Sequence, residues 1–428
     1  MKKFHTAVIG GGYLGSASAI SLAHSLKKIG GNPESICLIE KNVLGSGISS
    51  RQSGLIRSAN ADEASAHLAK ISIDMWLNIQ KIWGIDLEVE RAGALWIAKK
   101  GKNGSNQKWD AISQNLKKIP IDFKKITLDK AHLICPDFIN LYEDEIFYHE
   151  PEAIQLDPTH VRQQLYRGIQ NSNLTLFEGE EVVGFKKNKS EKITEIILTN
   201  HTIQVEHVIN AAGPWSPKLF EKLGVTIPIS VEPVFVANWL NSLASKGKTN
   251  MPIIADYVNR AYFRSWHDGE IHMHQPRRRE EQETASAFKD NPMGIIGADF
   301  INDPFNQMQG SSHIHLYEEI ANKRFNNLKN TVLSSGFRSY FDITPDLKFI
   351  LGPDEKIKNL VHCLGSGQAA KYSPVFGEMM AQYIFEPGQL SDLGNNFSIK
   401  RFNKKYMEEF LNKSNVLDYS LLQETSVL

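Results

Sequence analysis

Three glycines and one carboxylate near the start of the chain have the types and spacing to hold a phosphate-bearing ligand. Gly10, Gly12 and Gly15 form the pattern G-x-G-x-x-G, and Glu40 closes the next apolar run. Such a turn reverses the chain tightly at the first glycine and lets the backbone approach a pyrophosphate at the second. At the third it lets a helix lie close against a strand. A helix beginning there aims its free N–H groups and partial positive charge at phosphates. A carboxylate ending the second strand can accept hydrogen bonds from ribose hydroxyls and disfavours a 2′-phosphate.

The elements that must position these residues occur in the right order. Residues 6–9 are a short apolar run. Leu14, Ala17, Ile20, Leu22, Ala23 and Leu26 then keep helical spacing, and Gly30, Gly31, Asn32 and Pro33 stop the helix. Residues 36–39 form a second apolar run ending at Glu40. Strand, glycine turn, helix, strand and acid together predict a dinucleotide site rather than a plain glycine-rich turn.

A chain of 428 residues suggests two connected domains, and an apolar fraction of 41% suffices for a sizeable core. Acidic and basic residues balance at 48 each, so no global field favours nucleic acid or an anionic membrane. The three cysteines, Cys37, Cys135 and Cys363, are widely spaced, which indicates neither a disulfide framework nor a zinc site. His272 and His274 alternate along a strand without further ligand types nearby, so no metal is expected. No apolar run approaches a bilayer-spanning length, and the run after Met1–His5 is too short for a signal peptide. A soluble, cytoplasmic protein is the expectation.

Residues 45–60 form a Gly/Ser loop carrying Arg51 and Arg57. Residues 63–83 have a helical pattern with Leu68, Ile71, Met75, Ile79 and Ile82 on one face. Residues 87–98 and 120–128 read as strands, and Asp157 with Pro158 marks a helix start. Residues 174–210 predict a small antiparallel sheet whose last strand runs into a second turn at Ala211, Ala212 and Gly213. From 229 to 330 aromatics and short strands suggest a separate antiparallel lobe. It includes a solvated turn at Arg277–Arg279 and a helix over 317–328. Residues 361–364, the turn Gly365-x-Gly367 and a helix over 373–385 repeat the order strand, glycine turn, helix.

The fold class expected is α/β (α+β overall): a Rossmann-type domain with a second, mainly antiparallel β-sheet domain. Residues 1–90, 150–228 and 331–395 are assigned to the nucleotide domain. Residues 91–149 and 229–330 are assigned to the substrate domain, and 396–428 to a helical tail.

Four blocks carry a resemblance that spans most of the chain: the glycine pattern with Glu40, SSRQSGLIR, NAAGPWSPKL, and TPDLKFILGP with GSGQAAKYSP. Together they resemble the FAD-dependent amine oxidoreductases of the D-amino-acid oxidase superfamily, on the sarcosine oxidase and dimethylglycine dehydrogenase branch. The resemblance implies an extended FAD with its diphosphate at Gly10, Gly12, Tyr13, Leu14 and Gly15, and its ribose at Glu40 beside Lys41. It places the flavin between Ser49, Ser50, Arg51, Ser53 and Gly54 on one side and Gly365, Gly367, Gln368, Ala369 and Lys371 on the other. Val182 would touch the adenine side through its backbone. Ala211, Ala212, Gly213 and Trp215 would close the pocket.

The same resemblance makes Arg57 and Lys371 the pair that clamps a substrate carboxylate, and two charge-assisted contacts would orient an amino acid for reaction. Some relatives bind flavin covalently through a cysteine before the TPD block. Ser339 stands there in this chain, so non-covalent FAD is expected. Oxygen-using relatives place a lysine where this chain has His272, which counts against fast reaction with oxygen and points to a dehydrogenase passing electrons to another acceptor, with oxygen or an electron carrier both kept open. Tyr262, Phe263 and Trp266 are expected to line an apolar site that favours a neutral amine.

The implied activity is oxidation of the C–N bond of a carboxylate-bearing secondary or tertiary amine, by hydride transfer to flavin N5. One alternative is an FAD-dependent 2-hydroxy-acid dehydrogenase of the hydroxyglutarate type, with His272 or His274 as base. Another is the flavin subunit of a hetero-oligomeric amine dehydrogenase. Monomer, homo-oligomer and hetero-oligomer all stay open.

Overall fold

The computed structural model describes residues 1–60, 62–101, 105–240, 251–259, 261–265, 270–275, 311–326 and 332–402. Its first unit is the one the glycines predict. β1 (Lys3–Ile9) runs through the turn into α1 (Tyr13–Lys28), which returns to β2 (Ile36–Glu40). β1 and β2 are parallel, with Val8 opposite Leu38. Both strands are almost wholly buried, as expected where helices and loops cover both faces of a parallel sheet.

Further along lie α2 (Glu63–Leu77), β3 (Ala94–Lys99), β4 (Glu145–Glu150), α3 (Pro158–Asn171) and β5 (Thr202–Asn210). Then come β6 (Ala261–Ser265), β7 (Val332–Ile343), β8 (Leu360–Leu364) and α4 (Ala369–Ile384). The first sheet runs Val182–Lys187, Ile193–Leu198, β5, β1, β2, Thr175–Glu178, with β8 and Ile350–Pro353 joined to the C-terminal half of β5. α1, α4 and part of α2 cover one face through Ile20, Leu38, Trp76 and Phe376. The other face buries Phe4, Ile39, Val208 and Phe220.

The second sheet has eight strands, in the order β7, Ser230–Leu240, Glu270–Gln275, β6, Ile253–Asp256, β3, β4, Lys124–Ile126. It is antiparallel except where Ile253–Asp256 runs parallel to β3. β7 pairs with Ser230–Leu240 along its whole length, so sheet membership places residues 332–343 with the second sheet rather than with the 331–395 segment of the first. A small third sheet of Leu55–Ile56, Ile154–Leu156 and Val89–Glu90 lies at the crossings of the chain between the two. Arg324, the last residue of the helix Ser311–Arg324, is fully buried, with Nε 2.7 Å from Asp256 and Nη2 2.8 Å from Glu145 of the second sheet. Each ion there has its charge offset and its hydrogen bonds met, the condition under which burial of charge is tolerated.

Three helical expectations shift for physical reasons. α2 turns Ser65, Leu68, Ser72, Ile73 and Trp76 inward, leaving Ile71 and Met75 only partly covered. Its buried polar groups have work there: Trp76 Nε1 donates to the Ala370 carbonyl at 3.1 Å and Ser72 Oγ to the Lys371 carbonyl at 2.6 Å. α4 begins at Ala369 rather than 373, with Pro374 inside it. A proline deprives the carbonyl four residues earlier of its helical donor, and Trp76 supplies the missing hydrogen bond to Ala370. The helix expected over 317–328 is instead Ser311–Arg324. The turn at Arg277–Arg279 and the tail from 403 onward lie outside the described residues.

Candidate active site

The cradle at the end of β1 is built by backbone contacts that leave no room for side chains. Gly10 has φ +105°, and a Cβ there would lie 2.4 Å from the Ala211 carbonyl oxygen. A Cβ on Gly15 would lie 1.8 Å from the Gly10 carbonyl oxygen. The turn is pinned by Gly10 N–H to Ile39 O and Ala211 N–H to Ile9 O, both 2.9 Å. Glu40 turns its carboxylate back into the turn, accepting from Gly11 N–H and Asn42 N–H at 2.8 Å each. Tyr13 N–H, in the first turn of α1, donates to Ser49 Oγ at 3.0 Å. Ser50 Oγ donates to the Gly47 carbonyl at 2.9 Å, and Tyr13 OH accepts from Gln52 Nε2 at 2.9 Å.

A cleft opens at this point, lined by Gly11, Gly12, Ser16, Leu44, Ser49 and Arg162. Backbone N–H groups, a hydroxyl and an arginine side chain lining one cleft at a long helix's N-terminus fit a diphosphate. Arg162, from α3, was not singled out by sequence because nothing local marks it. It reaches the cleft because α3 crosses the Gly45 turn. Arg162→Ala is expected to weaken FAD binding about tenfold by removing a charge-assisted contact, read by titrating apoprotein with FAD. Unchanged affinity would remove Arg162 from the phosphate site.

The remaining cofactor candidates fall along both ends of the first sheet. Val182 is buried at the start of its strand, opposite Leu198. Lys41 Nζ lies 4.4 Å from the Trp215 ring centroid, joining the end of β2 to the turn after β5. In that turn Ala212 N–H and Ser216 Oγ donate to the buried Asn210 side chain at 3.2 and 2.9 Å. Arg51 and Ser53 are half-buried in the loop that Gly54 ends. Leu14 lies against Gly365, and Gly367 lies against Phe341 so closely that a Cβ would come within 2.7 Å of the ring. Gly367 N–H donates to Asp342 at 2.9 Å, and burial pushes that carboxyl up to about 7. Gln368 caps α4, followed by Ala369. Ser339 is buried on β7 opposite Val234.

Arg57 and Lys371, remote in sequence, are both buried, at 8% and 4% exposure. The Arg57 guanidinium lies 4.6 Å from the Trp96 ring centroid and 5.0 Å from that of Tyr262. Its Nη2 donates to Tyr262 OH at 3.1 Å, and Tyr262 OH lies 2.8 Å from Tyr257 OH. Glu150, at the end of β4, holds the following loop. It accepts from Ser58 N–H, from Ser58 Oγ at 2.7 Å, from Ala59 N–H at 3.2 Å and from Trp96 Nε1 at 3.1 Å. Lys371 lies in the first turn of α4, and its Nζ has no hydrogen-bond partner among the described residues. Burial, and then the Arg57 charge, hold its ammonium well below the usual lysine range, while Glu150 partly opposes them.

Trp96, Glu150 and Tyr257 were missed by sequence. Only the strand alternation around Trp96 gave any signal, and it does not say which face looks at the site. Of the expected aromatic lining, Tyr262 meets Arg57. Phe263 points to the other face of the sheet, where its ring centroid lies 4.9 Å from Phe325. Successive strand residues alternate faces, so the two could not both line one pocket. Trp266 lies outside the described residues. The backbone register sets His272 opposite Arg264 and His274 opposite Tyr262.

A glycine cradle on a parallel sheet, with buried cations where that sheet meets a large antiparallel one, defines a nucleotide-dependent protein of two-sheet architecture. Residues 5–383 match the family described as FAD dependent oxidoreductase (DAO), and the chain belongs to it. It is 21% identical to 4-methylaminobutanoate oxidase (formaldehyde-forming) of Paenarthrobacter nicotinovorans over 94% of this chain and 47% of that protein. It is 24% identical to sarcosine oxidase subunit beta of an Arthrobacter species over 54% of this chain and 56% of that one. The chain thus spans about half the length of these curated relatives. The crystal structure of L-proline dehydrogenase from P. horikoshii superposes with a TM-score of 0.79 at 21% identity, covering 94% of this chain and 98% of that one. The fold is therefore that of the family, a Rossmann-type FAD-binding part with a substrate domain. No helix among the described residues is long and apolar enough to cross a membrane.

Proposed function

We infer that this chain binds FAD without a covalent link and oxidises the C–N bond of a carboxylate-bearing secondary or tertiary amine. The observation that carries this reading is that Arg57 and Lys371, remote in sequence, are both buried, with Arg57 set against the Trp96 and Tyr262 rings and its charge lowering the proton affinity of Lys371. When bound, FAD supplies a hydride acceptor at N5. The protein supplies orientation: Arg57, set against the Trp96 and Tyr262 rings, and Lys371 would both bind the carboxylate. Buried aromatic surroundings favour the neutral amine, the form that can give up hydride. Ser339, in place of a thiol, leaves the flavin unlinked. The 2-hydroxy-acid reading gains no support, since the relatives named above are described as acting on amines or amino acids.

The test is anaerobic reduction of the bound flavin by N-methyl amino acids, proline-like imino acids, D-amino acids and 2-hydroxy acids, followed by absorbance. Bleaching by a carboxylated amine is the expected result. Bleaching by hydroxy acids alone would overturn it. Admission of air then separates an oxidase, which recovers quickly, from a dehydrogenase that needs another acceptor.

A further inference from the structure

We propose that Lys371 is uncharged in the substrate-free protein and takes up a proton when a carboxylate binds, so that Arg57 is the standing charge of the site and Lys371 the induced one. The inference rests on the carboxylate site assigned above and concerns how that site is charged.

The geometry supports it group by group. Lys371 Nζ is buried without a hydrogen-bond partner among the described residues, and an ammonium in that state costs far more than a neutral amine. The polar groups on the elements packed around it are mostly committed elsewhere, although Gln368 Oε1, at the cap of α4, is buried without a partner among the described residues and the Tyr372 ring centroid lies 5.0 Å from Nζ. Glu150, on β4, already accepts from Ser58, Ala59 and Trp96. Asp62, capping α2, is held by Ser65 N–H at 2.9 Å and by Lys348 at 2.7 Å. Tyr262, on β6, is engaged by Arg57 and Tyr257. On α4 itself, Tyr372 donates its hydroxyl to the Ser65 carbonyl at 3.1 Å. Arg57 adds a like charge, which disfavours a second cation and matches the lowered affinity of Lys371 for its proton.

A carboxylate entering beside Arg57 reverses this balance. It cancels the like charge and offers Nζ an acceptor, so the lysine's proton affinity rises on binding. The sign follows: between the pKa of Lys371 in the free protein and that in the complex, each carboxylate bound brings in one proton. Through that window affinity falls tenfold per pH unit as pH rises. A zwitterionic substrate carries the proton itself. Its ammonium must lose one before the adjacent C–H can leave as hydride, and Lys371 gains one, so the two cancel.

The probe is butanoate, which has a carboxylate and no nitrogen, titrated into the FAD-loaded protein between about pH 6 and 9. Calorimetry in buffers of differing ionisation enthalpy counts protons, and flavin absorbance reports occupancy independently. The expected result is an uptake rising to one proton per butanoate, with tenfold weakening per pH unit above the free-protein pKa. Lys371→Arg, always charged, should bind with no uptake and a flat pH profile. Lys371→Met should bind more weakly, also without uptake, and serves if the arginine is not accommodated. Intact binding without proton uptake across the range, or the same uptake in either variant, overturns the proposal. Failure of butanoate to bind at all overturns the carboxylate site, and this inference with it.

Discussion

Gly15→Ala should yield protein that purifies without flavin. The new Cβ would meet the Gly10 carbonyl oxygen at 1.8 Å and the Ala211 methyl at 3.3 Å. The first is backbone and cannot rotate away, so the start of α1 must move off β1. Overpacking a well-packed interior costs about 1–3 kcal/mol where side chains can yield, and more where only backbone can. The displacement falls on the N–H groups proposed to hold the diphosphate, so affinity for FAD should drop at least about tenfold beyond any loss of stability. Flavin content after purification and the melting temperature of the apoprotein measure the two effects. Gly30→Ala is the control: its φ is +80° but a Cβ there has nothing within 4 Å. It should lose stability only and keep its flavin. A Gly15→Ala protein with full flavin content would refute the cradle.

Arg57→Ala has the second large effect expected, on catalysis. Loss of a charge-assisted contact costs about 1.5–3 kcal/mol, or about 10- to 150-fold in kcat/KM with a carboxylated amine. Lys371→Ala should fall in the same range. Arg57→Lys is not a rescue, because a point charge on a flexible stem does not reproduce a guanidinium set against the Trp96 and Tyr262 rings. The discriminating comparison is an amine of the same shape without the carboxylate. If Arg57 orients the carboxylate, the variant loses little with that poorer substrate. Wild-type kinetics in both alanine variants with a carboxylated substrate would show the clamp assignment to be wrong.

Local rules made the nucleotide half legible. The requirements for a strand, a glycine turn and a helix fall within a few residues, so Gly10, Gly12, Gly15 and Glu40 could be read directly. The helix start at Asp157 and Pro158 was equally local: Asp157 accepts from Thr159 N–H at 2.7 Å. Sequence was less able to say which way α2 faces. Its buried stripe follows the carbonyl left without a donor by Pro374, about 300 residues away along the chain. The boundary near 331 shifted for a related reason. Whether residues 332–343 join one sheet or the other depends on pairing with Ser230–Leu240, and pairing partners are not written in a strand's own pattern.

The site divides along the same line. Sequence by itself determined the strand, glycine turn and helix of the proposed dinucleotide cradle, an α/β fold with a second antiparallel sheet, and, through resemblance, the two cations worth following. Tertiary structure alone decided what surrounds them. Trp96 and Tyr262 come from β3 and β6 of the second sheet, Glu150 from β4, and Arg162 from a helix that crosses the cleft. Burial and the charge of a neighbour also lower the proton affinity of Lys371. Those depend on long-range packing: a lysine's type and place in the chain do not reveal that it will be buried or that the charge of an arginine will act on it.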